Sequence, residues 1–170
     1  MDMNSVLKAV MSSDALGQLS KATGIDEKAA ASVLTDVMPL LINGAKSQST
    51  NKDTATSFIE ALASHGEKDS SDMAKFIKNV DVADGAKIVK HLLGSEKESK
   101  AQKISEKSGV DIKKVAMVMA LAAPLVMNKL GKSAKKKAKE NSKSDVADVV
   151  GAIVENVDVA DVIKVAKLFL

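Results

Sequence analysis

Cysteine, tryptophan, tyrosine and arginine are all missing from this 170-residue sequence. No disulfide or thiolate chemistry is available, and a cysteine-free chain fits a reducing compartment. Without arginine there is no planar fork for bidentate recognition of phosphate, carboxylate or guanine. All 25 basic side chains are lysines, which bind anions as point charges. Aromatics number three: Phe58, Phe76 and Phe169. The core must therefore be built from Ala, Val, Leu, Ile and eight Met, a mixture suited to helices packed closely through small side chains.

Other absences narrow the function. The start, "MDMNSVLKAVMSS", has an early acid and no long apolar core, so no secretory signal is expected. The longest uncharged run, residues 115–128, is 14 residues long. That is too short to cross a bilayer and suits a buried helix, so a cytoplasmic protein with no membrane span is expected. No GxxxxGK loop, GxSxG elbow or HExxH pair occurs. His65 and His91 stand on different predicted helices without metal-site spacing. No catalytic residue, metal ligand or cofactor is assigned, and an enzyme is not expected.

What is present is a repeat. "LSKATGIDEKAAASVLTDVMPLLINGAKS" (19–47) aligns with "ISEKSGVDIKKVAMVMALAAPLVMNKLGK" (104–132) at an offset of 85. Gly24 meets Gly109, Asp26 meets Asp111, Ala31 meets Ala116, Pro39 meets Pro124 and Asn43 meets Asn128. "NVDVAD" also occurs twice, at 79–84 and 156–161. A tandem duplication with a shorter middle in the second copy accounts for both offsets. It divides the chain into helical repeats 1–83 and 84–170, packed as one intimate unit.

Strand alternation is absent and helical spacing dominates, so the fold class is all-α. About nine or ten helices are expected. They cover roughly 4–11, 14–23, 26–46, two short ones between 55 and 80, 84–93, 97–108, 111–139, 144–155 and 159–169. Gly24 ends one helix and Asp26 caps the next. "SQSTNKDT" (47–54) is expected to be a polar loop. The D-x-x-D pairs Asp81/Asp84 and Asp158/Asp161 suit N-caps with a negative first turn. Pro39 and Pro124 lie inside the two long helices, where each frees a carbonyl four residues back and is expected to kink its helix. The bundle is then two pseudo-symmetric halves, each with a Pro-kinked central helix. The stretch "VADVIKVAKLFL" carries an apolar stripe and is expected to dock on the core.

The repeated unit resembles the bacterial domain-of-unknown-function family 937. The carrying features are a Q-L-type helix, a "TG" or "SG" turn followed by an apolar residue, and a helix with "PLL" or "PLV". "KIVKHLLG" before the second copy, with His91 and Gly94, is similar to that family's lead-in. The resemblance implies a helical fold and no assigned activity. The segment around Gly24 also resembles DNA-binding helix-turn-helix units and HU-type histone-like proteins. Its second helix, however, opens on acid and alanine, with nothing to read base edges.

Charge is uneven along the chain. Residues 1–85 hold 8 lysines against 12 acids, a net −4, and residues 86–170 hold 17 against 10, a net +7. Lys129, Lys132, Lys135, Lys136, Lys137, Lys139 and Lys143 form the densest cluster. It is either a solvated helix end, where cations suit the helix dipole, or a contact for phosphate or another anion. With no aromatic interleaved, base stacking is unavailable. The leading expectation is a non-catalytic interaction or self-assembly protein with a protein partner or its own copies, opposite charges favouring head-to-tail contact. The alternative is sequence-independent nucleic-acid binding through residues 129–143.

Overall fold

The computed structural model describes residues 3–140, and there the chain is an all-α helical bundle. Eight α-helices occur among the described residues: α1 (Met3–Val10), α2 (Ser13–Thr23), α3 (Glu27–Thr50), α4 (Ala55–His65), α5 (Met73–Lys78), α6 (Val82–Leu93), α7 (Lys97–Ser108) and α8 (Ile112–Glu140). A single 3-10 turn, Gly94–Glu96, joins α6 to α7. The helices expected at 144–155 and 159–169, and the second "NVDVAD", lie outside the described residues.

Local chemistry sets most boundaries. Asp26 Oδ1 accepts the Ala29 N–H at 2.8 Å and caps α3. Asp81 caps α6 by accepting from Ala83 and Asp84, and Asp84 adds negative charge to the first turn. Gly24 and Gly109 end α2 and α7 with φ of 68° and 70°, a left-handed conformation that only glycine adopts without strain. Two boundaries differ from the sequence reading. The loop expected at 47–54 shrinks to 51–54, because α3 runs on to Thr50. Ser49 Oγ and Thr50 Oγ1 donate back to the Lys46 carbonyl, so polar residues continue the helix. The helix expected to begin at residue 84 starts at Val82, so the 83/84 division falls inside α6.

The two longest helices, α3 and α8, pack on each other. Each continues through its proline, and Pro39 and Pro124 are both buried. One apolar cluster unites residues from both halves, from Leu7 to Ala134. Among the described residues α8 alone is long and apolar enough to cross a bilayer, with a window of mean hydropathy 1.3, but 83% of that window is buried among the other helices. Small residues let the helices meet backbone to backbone. A Cβ on Gly85 of α6 would lie 1.9 Å from the Ala120 carbonyl oxygen of α8. One on Gly131 of α8 would lie 2.0 Å from the Leu62 oxygen of α4. Gly44 of α3 receives Leu92 of α6 in the same way.

Candidate functional site

The sequence directs attention to the lysines at the end of α8, and the structure divides them. Lys129 is only 6% exposed. Its ammonium donates to the Ser70 carbonyl at 3.3 Å, and Lys132 donates to Ser70 Oγ at 3.0 Å. Lys135 pairs with Glu67 at 3.0 Å near the surface. Lys136 and Lys139 are exposed. Lys143 and the Lys137 side chain lie outside the described residues. The expectation of one solvated basic face therefore fails for Lys129, which helix α8 turns inward beneath the 66–72 loop. Burial, and then the neighbouring Lys132, push its pKa below 10.5, against a smaller opposing pull from Asp69.

The residue that organises this end is Asn128, which sequence reasoning matched to Asn43 without giving it a task. Asn128 is fully buried, whereas Asn43 is exposed. Its amide donates to the His65 carbonyl at 2.6 Å and the Lys68 carbonyl at 2.8 Å, and its oxygen accepts from Ser70 Oγ at 2.5 Å. Every polar atom of the side chain is thus matched, as a buried amide requires. Asn128 pins the loop after α4 onto α8 three residues before the close Gly131–Leu62 contact. A polar residue ending a 14-residue uncharged run was the available signal.

Beside this lock lies a cleft of about 290 Å³ between α5, the start of α6 and α8. Phe76, Val80 and Pro124 give it apolar surface, and Asp69, Asp72, Asp81 and Asp84 supply acid, with Lys68 and Lys75 alongside. Asp69 accepts the Ser71 N–H at 2.9 Å. That bond, the Ser71 side chain and the nearby Lys132 and Lys75 hold its carboxyl below its usual 3.8. Asp72 and Asp81 are occupied as caps of α5 and α6. Of these acids, sequence spacing assigns Asp81 and Asp84 to capping and gives Asp69 and Asp72 no role.

His65 and His91, apart in sequence, line one shallow pocket with Ala61, Ile88, Leu92 and Met127. His65 sits at the end of α4, and its Nδ1 is buried without a partner. Burial, and then Lys68, lower its pKa below 6.5, opposed by Asp84. No group of three or more His, Cys, Asp or Glu able to hold a metal occurs among the described residues. A last opening is almost wholly apolar. It is a groove of about 190 Å³ between α6, α7 and α8, lined by Val89, Ala101, Ile112, Ala116 and Met119.

No curated protein and no solved structure matches the chain. A family profile does, over residues 5–133, which include α2, α3, α7, most of α8 and the Asn128 lock. By that match the chain belongs to DUF937, a family of bacterial proteins of unknown function.

Proposed function

We propose that this protein is a non-catalytic helical interaction protein that associates with its own copies. The observation that carries the reading is the acid-bearing cleft, with Phe76, Val80 and Pro124 in it, lying next to the lysine end of α8. Adjacent patches of opposite sign favour reciprocal pairing, each copy's lysines over the other's cleft, and this supports a two-fold contact over the head-to-tail one. Cysteine-free composition supports a reducing compartment such as the cytoplasm. Light scattering over a range of concentrations and salt tests the reading. Association that weakens as salt rises is expected. A strict monomer at every concentration and ionic strength would exclude it.

Sequence-independent nucleic-acid binding through residues 129–143 is the second reading. Lys139, exposed on the last turn of α8, favours it. Against it, Lys129, Lys132 and Lys135 already donate to residues 67 and 70. A gel shift at low salt decides: no retardation there removes this reading, because charge is its only source of affinity.

A further inference from the structure

The apolar groove between α6, α7 and α8 is an unusual surface for this bundle. Among the described residues, Val82 alone is a well-exposed large hydrophobic side chain, and it lies outside the groove. The groove instead opens over Ala116, which is exposed on α8. Ala31, its match 85 residues earlier on α3, is 1% exposed. The corresponding point of the first repeat is covered. At the second it is open.

The sequence beyond the described residues holds a candidate cover. "NVDVADGAKIVKHLL" (79–93) and "NVDVADVIKVAKLFL" (156–170) are identical at nine of fifteen positions. The first of these is α6 with its Asp81 cap, a helix that buries Ile88, Val89 and Leu92 against the bundle. The second keeps the capping acid as Asp158 and apolar residues at the matching positions Val165, Ala166 and Phe169. It differs at the decisive contact: Val162 replaces Gly85 and Ile163 replaces Ala86. Even a bare Cβ at residue 85 would stand 1.9 Å from the Ala120 oxygen, so a segment with valine there cannot use an α6-type crossing on α8. It needs a seat with room for branched side chains.

We propose that residues 156–170 dock in the groove between α6, α7 and α8 of their own chain. The groove's volume of about 190 Å³ accepts branched aliphatic side chains such as those of Val162 and Ile163. Its rim carries both signs, Lys97, Lys113 and Glu98, facing a segment that carries Asp158, Asp161, Lys164 and Lys167. Reach permits it. From Ala116 to Glu140, α8 rises about 36 Å at 1.5 Å per residue. Residues 141–155 span up to about 50 Å when extended and about 28 Å with 144–155 helical, in which case residues 156–162 supply the remainder before Ile163. A tether of this length keeps the effective concentration high without any strong single contact. The docking does not depend on self-association.

The absence of native cysteine gives a clean test in the full chain. Ala116→Cys combined with Ile163→Cys is treated with a short bismaleimide at low protein concentration. As control, Ile163→Cys is combined with Asp53→Cys, exposed in the loop between α3 and α4. An intramolecular cross-link in roughly tenfold excess over the control is expected. Equal yields, no cross-link, or covalent dimers in place of it overturn the proposal, and dimers assign the segment to a second copy. Should the double-cysteine chain fail to fold, Ile163→Trp supplies the only tryptophan. Its emission should be that of a buried indole, moving to the red when exposed Ala116 is also changed to Glu. An emission already at the solvent limit, or unmoved by Ala116→Glu, overturns the docking.

Discussion

Asn128 concentrates more structural consequence than any lysine near it. It holds the carbonyls of His65 and Lys68 and the Ser70 hydroxyl through one rigid amide. Asn128→Ala leaves those groups without their partner and should cost about 2–4 kcal/mol, read as a lowered urea midpoint with an unchanged slope. A loss within about 0.5 kcal/mol would show that the loop satisfies itself with water. His65 gives a pH signature. Its folded-state pKa lies below 6.5, because burial and Lys68 disfavour the charged ring. Just below pH 6.5 the unfolded chain therefore binds more protons than the folded one, so stability falls as pH drops through that value. Asp69, held below 3.8, adds its own loss only at much lower pH. Melting temperatures from pH 7.5 to 5 should decline in the natural chain and decline less in His65→Asn. Parallel curves would remove His65 from the account.

At the scale of the helices, glycine has two opposite meanings in this fold. A glycine inside a helix ordinarily costs about 1 kcal/mol relative to alanine, through backbone freedom. Gly17 in α2 obeys that rule, since a Cβ there would meet nothing nearer than Glu27 Oε1 at 3.4 Å. Gly17→Ala should stabilise by roughly 0.5–1 kcal/mol. Gly85 reverses the sign. Its Cβ would enter the Ala120 carbonyl, and backbone cannot yield as a side-chain tip can. Gly85→Ala should destabilise by roughly 1–3 kcal/mol by prising α6 from α8. Thermal unfolding of both variants checks the pair, and a stabilised Gly85→Ala would refute the close crossing.

For the whole molecule the question is whether segments 1–83 and 84–170, expected from the sequence to be repeats, stand alone. α8 packs on α2, α3 and α4, and α6 packs on α3 as well as on α8. Lys107 of α7 pairs with Asp36 of α3 at 2.6 Å, and Lys114 of α8 donates to the Gly24 carbonyl at 2.9 Å. Residues 1–83 by themselves would expose the surface of α3 that α6 and α8 now cover, on a helix whose Met38, Leu41 and Ile42 are at most 1% exposed. The full chain should therefore unfold in one transition, with calorimetric and van't Hoff enthalpies equal. The fragment 1–83 should lack fixed tertiary structure. Two separated transitions, or a cooperatively folded fragment, would mean that each segment is its own domain.

By itself the sequence determined the class of fold, the positions of nearly all the described helices, their glycine stops and aspartate caps, and the family likeness. These depend on neighbours within a few residues: helical period, the φ that glycine permits, and a carboxylate three residues from an orphan N–H. It misplaced the end of α3 because hydroxyl side chains bonding back to a carbonyl favour helix or loop according to context. The tertiary structure alone decided which members of a residue class face inward. It buried Lys129 while leaving Lys139 exposed, gave Asn128 three partners and Asn43 a solvent position, and gathered four aspartates from caps and a turn into one cleft. Those outcomes hang on contacts across some sixty residues of chain, such as Ser70 with Asn128. Local spacing carries no record of such contacts, because they form only when helices distant in sequence close to backbone distance.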